Sequence, residues 1–156
     1  MRQELEELLC TRYPLIFQNR SSAISTGSMG RGFSCGDGWF DLIDTLCDRL
    51  QSWTDHNNAP QVVASQVKEK WGQLSFYIRG ANDEQRGMVL MAQALSGRIC
   101  EACGKPGRLL VHQAHMTRCQ EHAPEGALTI EEWKVEWERK KGGARAPGGV
   151  GVRLPP

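Results

Sequence analysis

The sequence predicts an α+β protein: a short antiparallel sheet packed on helices, then a small metal-bearing module and a disordered C-terminal tail. Trp39, Leu42, Ile43, Leu46, Cys47 and Leu50 recur at spacings of three and four, the stripe of a helix lying on a core. Leu74, Phe76 and Ile78 alternate strictly, as in a strand with one buried face. Cys100, Cys103, Cys119 and His122 spell C-x2-C-x15-C-x2-H, the paired spacing of a tetrahedral zinc site.

Taken in order, residues 2–10 predict a short helix with Leu5, Leu8 and Leu9 on one side, and Pro14 stops it. Residues 21–38, rich in Ser and Gly and without hydrophobic period, predict a loop, either a plain connector or a binding loop that orders on a partner. Asp37 is the candidate N-cap of the striped helix; Asp41, Asp44, Asp48 and Arg49 fall off the stripe and face solvent. Asn57-Asn58-Ala59-Pro60 is a turn. Residues 62–67 and 73–78 predict two strands around a turn at Gly72, with Val63 and Val67 on one side of the first; a helical start remains an alternative for that first segment. Asn82 and Gln85 are in capping-box register for the next helix, whose buried side is expected to carry Met88, Met91, Ala92 and Leu95, and which Gly97 closes. Thr129 and Glu132 form a second capping box, starting a helix with Ile130, Trp133 and Trp137 along one side. The division is therefore a core over residues 1–98, a zinc module with its following helix over 99–141, and a Gly/Pro-rich tail over 142–156.

Composition bounds the function. The chain has 156 residues, 40% hydrophobic and 24% charged, enough for a real core without metal. A net charge of +1 argues against both a strongly basic nucleic-acid binder and an acidic mimic of DNA. No apolar run approaches the roughly 20 residues that span a bilayer, and the acidic N-terminal segment does not read as a signal peptide. Setting aside the three candidate ligand cysteines leaves Cys10, Cys35 and Cys47, an odd set that suits a reducing cytoplasm.

Two thiolate pairs at x2 spacing can converge on one zinc ion, with Gly104 permitting the tight turn after Cys103. His112 or His115 is an alternative fourth ligand, and a redox Cys-x-x-Cys is an alternative reading that leaves Cys119 and His122 unexplained. Residues 108–111 and 115–118 predict a small hairpin between the two pairs. Knuckle, hairpin and ligands near a helix start resemble a treble-clef or zinc-ribbon module over residues 100–137, which implies a structural zinc. The sequences of zinc deaminases and metalloproteases, H-x-E with P-C-x-x-C and H-E-x-x-H, are missing, and an HNH-type nuclease has only His112 or His115 to offer. Gly30-Arg31-Gly32 and Gly36-Asp37-Gly38 resemble a phosphate loop only superficially, since no strand precedes them and no Lys follows. Asp37, Asp41 and Asp44 read as a solvated acidic face rather than a cation site. Trp53, Trp71, Trp133 and Trp137 read as core or half-core residues.

Gly36-Asp37-Gly38-Trp39, then Val67-Lys68-Glu69-Lys70-Trp71-Gly72-Gln73-Leu74-Ser75-Phe76-Tyr77, then the Cys100–His122 motif, resemble in the same order small uncharacterised zinc-binding proteins encoded by bacteriophages and prophages. The resemblance implies a phage or prophage origin, action in the bacterial cytoplasm and a host protein or complex as partner, such as a bacterial immune complex. The resulting expectation is a non-enzymatic, zinc-stabilised binding protein without catalytic residues. The alternative is a nucleic-acid-binding accessory protein that uses the basic C-terminal third, from Arg98, Lys105, Arg108 and Arg118 to Lys134, Arg139, Lys140, Lys141, Arg145 and Arg153. A zinc-dependent nuclease is a third, weaker reading.

Overall fold

A computed structural model describes residues 1–20 and 32–143, with side chains through residue 141. Residues 21–31 of the expected loop, and the expected tail beyond residue 143, lie outside the described residues. The elements run α1 (Gln3–Arg12), β1 (Phe33–Ser34), α2 (Phe40–His56), β2 (Val63–Lys70), β3 (Gln73–Arg79), α3 (Asp83–Ser96), β4 (Arg108–Val111), β5 (His115–Arg118), β6 (Leu128–Thr129) and α4 (Ile130–Gly143). The α+β class is as expected. Among the described residues, no helix is long and apolar enough to cross a membrane.

The first sheet is not purely antiparallel. β2 and β3 form the expected hairpin, but β1 adds to β2 in parallel, Phe33 opposite Val67 and Ser34 opposite Lys68. A parallel neighbour needs a crossover, and α2 supplies it. The end of the expected loop is therefore structured: Phe33–Ser34 is a strand and Asp37–Trp39 a single 3-10 turn leading into α2. Asp37 does not cap that helix. Its carboxylate instead accepts from the Arg2 backbone N–H at 2.7 Å and from the Arg2 guanidinium.

Trp39, Ile43, Leu46, Cys47 and Leu50 are buried as the stripe predicts. Asp44, expected in solvent, takes hydrogen bonds from Tyr13 at 3.0 Å and Arg12 at 2.9 Å, which ties α1 to α2. In β2 the buried residues are Ala64 and Val67, not Val63 and Val67. The register slips between Ala64 and Gln66, so Ser65 is an extra residue, and this bulge lets two residues three apart share one face. The face is completed by Leu74 and Phe76, and Phe17 packs edge-on to Phe76.

α3 begins with the predicted capping box: Asn82 accepts from the Gln85 N–H at 2.9 Å, and Gln85 accepts from the Asn82 N–H at 3.0 Å. Its buried face carries Gln85, Val89, Ala92 and Ser96. Met91 and Leu95, expected inside, are 63% and 43% exposed, and line an open apolar groove with Leu42, Leu46 and Met88. Polar residues hold the inner face because they bond there. Ser96 Oγ accepts from the Leu74 N–H at 2.8 Å, and Gln85 Nε2 donates to Thr54 Oγ1 at 2.9 Å and Pro60 O at 3.1 Å. Gly97 ends the helix with an ordinary right-handed φ of −68°, and a Cβ there would displace only the mobile end of the Gln73 side chain.

The second sheet has the order β5-β4-β6, all antiparallel. The capping box at Thr129 and Glu132 forms as predicted and starts α4, on which Trp133 and Trp137 stack at 5.5 Å. α4 runs on to Gly143, past the expected tail boundary at 142.

Candidate metal centre

The chain leaves α3 and enters a tight knuckle. The Cys100 N–H donates to Lys105 O and the Gly104 N–H to Cys100 O, both at 2.8 Å, and Gly104 takes a φ of +76°, where glycine is unstrained. The β4–β5 hairpin then returns the chain, and the Glu101 N–H reaches Thr117 O at 3.0 Å, so knuckle and hairpin share a backbone bond. Cys119 caps a 3-10 turn that His122 ends, with the His122 N–H donating to Cys119 O at 3.1 Å. Two local turns thus aim two side-chain pairs at one point.

The ligand atoms of Cys100, Cys103, Cys119 and His122 all lie within 4.8 Å of one another. Cys103 and Cys119 sulfurs are 3.7 Å apart; Nδ1 of His122 lies 3.2 Å from the Cys119 sulfur and 3.8 Å from that of Cys100. A tetrahedron with metal–sulfur bonds of about 2.3 Å separates its sulfurs by about 3.8 Å, whereas a disulfide needs about 2.05 Å. The Cys103–Cys119 spacing matches the first geometry and not the second, and the Cys3His group can hold a metal ion. Neither His112 nor His115 belongs to the group. His115 instead meets Trp71 edge to face at 5.6 Å.

Burial opposes ionisation of Cys100, but the N–H groups of Cys119, Cys103 and Ala102 outweigh it and bring the thiol down to about 7. At Cys103 the Lys105 N–H favours the thiolate, yet burial and the Cys100 and Cys119 sulfurs push the group up overall. Crowded thiols that resist joint ionisation are relieved by a shared cation. The remaining buried cysteines carry no such arrangement: burial first, and then the carboxylates of Glu101, Glu6 and Asp37, push Cys35 up to about 12 against the pull of the N-terminal ammonium, and burial with Asp44 and Cys10 raises Cys47 too.

The Gly36-Asp37-Gly38-Trp39 motif is the bed on which the knuckle rests. The Gly38 N–H donates to Glu101 O at 2.8 Å, and the Trp39 indole N–H to Ile99 O at 2.9 Å. A Cβ on Gly38 would meet Cys100 O at 2.2 Å and Gly104 N at 2.4 Å; one on Gly36 would meet Glu101 O at 2.2 Å. These glycines serve close backbone approach, not phosphate. Glu101, 9% exposed, accepts from the Gly36 N–H at 2.9 Å and pairs with Arg118 at 2.8 Å. On the other side Thr117 bonds to the Gly72 carbonyl, so the hairpin also grips the β2–β3 turn. Glu101, Thr117 and the two glycines were not singled out as site residues by the sequence. The signal was a G-D-G ahead of Trp39, whose purpose emerges only when residue 38 meets residue 100.

Compared with known families, curated proteins and solved structures, the chain finds no match.

The second ligand pair precedes β6 rather than opening a helix, so α4 begins one strand later than a treble clef requires. Other sequence candidates do not gather. Of the tryptophans expected in core or half-core positions, Trp53 and Trp133 are half-buried, whereas Trp71 is 58% and Trp137 47% exposed. Lys105, Arg118 and Lys140 of the basic C-terminal set are engaged by Glu121, Glu101 and Glu136.

Proposed function

We propose that the chain is a non-enzymatic, zinc-stabilised binding protein, in which a structural zinc clamps a zinc-ribbon or treble-clef-like module onto an α+β core and so fixes a recognition surface. The observation that carries this reading is the closed donor set: three sulfurs and one imidazole nitrogen within 4.8 Å. Four protein donors complete a zinc tetrahedron and leave no position for a reacting water. The carboxylates adjacent to the ligands in sequence support the same reading, since Glu101 is held by Arg118 and Glu121 by Lys105, and neither stands ready as a general base. The motif resemblance to phage and prophage proteins supports a partner inside the bacterial host, a host protein or complex among the candidates.

The test is metal analysis with X-ray absorption at the zinc edge, followed by chelation. The expected result is one zinc per chain with three sulfur neighbours and one nitrogen, and loss of the β4–β5 hairpin when zinc is withdrawn. A first shell containing a solvent oxygen, or a module that stays folded without metal, would sink it.

A further inference from the structure

The open face of the first sheet carries an arrangement the sequence concealed. Strand alternation puts Lys68 and Lys70 of β2 and Ser75, Tyr77 and Arg79 of β3 on the side away from Val67, Leu74 and Phe76. Lys70, Tyr77 and Arg79 are exposed, and Glu69, between the two lysines, points to the other face and accepts the Gly72 N–H at 2.6 Å. Among the described residues, Lys68, Lys70 and Arg79 make no ion pair. Residues 21–31 and 144–156 contain no Asp or Glu with which to neutralise them.

Aromatic rings interleave these charges. Tyr77 is 43% exposed, and its ring lies 5.7 Å from the Lys68 ammonium. Trp71 stands at the tip of the β2–β3 hairpin, 58% exposed, with a φ of +57° that is costly for a large side chain. Strain of that kind persists where the surroundings impose it. Here Gly72, at φ +78°, is pressed against Leu109 and Met116, and Thr117 holds its carbonyl. About 14 Å of strand separates the turn from Tyr77, room for a short run of nucleotides between the two rings.

We infer that this face binds single-stranded nucleic acid, with Lys68, Lys70 and Arg79 on phosphates and Tyr77 and Trp71 stacking on bases. The occupant follows from charge and shape together: cations without an acidic partner complement a polyanion, and partly exposed aromatic rings suit unpaired bases rather than a closed duplex. The inference rests on the reading of the metal centre as a clamp, because the zinc hairpin holds the turn that presents Trp71.

The experiment is fluorescence anisotropy of the zinc-loaded full chain with labelled oligothymidylate, oligouridylate, a DNA duplex and polyglutamate. A single strand is expected to bind, with a log–log salt slope of about −2 for three phosphate contacts. Lys68→Glu with Lys70→Glu should weaken binding at least about tenfold and flatten that slope. Tyr77→Ala should weaken it about tenfold with the slope unchanged, and Tyr77→Phe should restore it. The two oligonucleotides decide between DNA and RNA, either of which supports the inference. No binding at low salt, equal binding of duplex or polyglutamate, or affinity untouched by these variants but lost on Arg139→Ala with Lys141→Ala would overturn it. Circular dichroism and zinc content of each sample separate the two readings. A folded, zinc-loaded chain that ignores single strands defeats the surface alone, whereas a chain that folds and binds without zinc defeats the clamp alone.

Discussion

The Thr117 hydroxyl donates to the Gly72 carbonyl at 2.6 Å in a buried bond that joins residues 45 apart in sequence. It is the point where the metal-bearing hairpin takes hold of the β2–β3 turn. Thr117→Val keeps the shape of the side chain and removes the donor. The expected loss is about 1–3 kcal/mol, since a buried carbonyl is left without its partner. Urea unfolding of the zinc-loaded protein, with an unchanged m-value, measures it.

Gly38→Ala is expected to damage the knuckle from the far side. Its new methyl group would meet backbone atoms of Cys100, Cys103 and Gly104 at 2.2 to 2.6 Å, none of which can swing away as a flexible side chain does. A destabilisation of about 2 kcal/mol or more should appear, together with weaker zinc retention in chelator competition. An alanine variant that unfolds and holds zinc like the parent would show that the motif does not support the knuckle.

Gly87→Ala should do the opposite. Gly87 lies inside α3, and a Cβ there meets nothing within 4 Å. Helix propensity alone then favours alanine by about 0.5–1 kcal/mol, visible as a higher melting temperature.

Tyr13 should titrate late. Burial first, and then its hydrogen bond to Asp44, push its phenol up to about 12 from an ordinary value of 10.0. The folded state holds this proton more tightly than the unfolded chain. The stability it contributes is therefore complete below pH 10 and drains away as pH rises towards 12. In a Tyr77→Phe background, absorbance of the remaining tyrosine should reach half-ionisation near 12; a midpoint near 10 would show that the Tyr13–Asp44 contact does not persist in solution.

Signals confined to a few neighbouring residues were legible in the sequence. The capping boxes at Asn82 and Thr129, the turn at Gly72 and the four candidate ligands each depend on spacings within one turn or one knuckle. What escaped was non-local. Phe33 and Ser34 form a strand only because Val67 and Lys68 wait beside them. The bulge at Ser65 moved Ala64 inward in place of Val63, and one extra residue is enough to invert alternation. On α3 two stripes competed, and the more hydrophobic one, with Met91 and Leu95, lost to Gln85, Val89, Ala92 and Ser96. Hydrophobicity ranks such faces by transfer energy, whereas the fold chose the one whose amide and hydroxyl find partners.

Gln85 has a consequence of its own. Its carboxamide, fully enclosed, is spent on both sides: the oxygen on the Asn82 N–H, the nitrogen on Thr54 and on the carbonyl of Pro60. Oily helix faces tolerate sliding past one another by a turn, because methyl groups accept almost any neighbour. An enclosed amide does not, since each displaced bond strands a polar atom without water. Gln85 therefore acts as an index pin between α2 and α3, and gives the helix pair one alignment rather than several of similar energy.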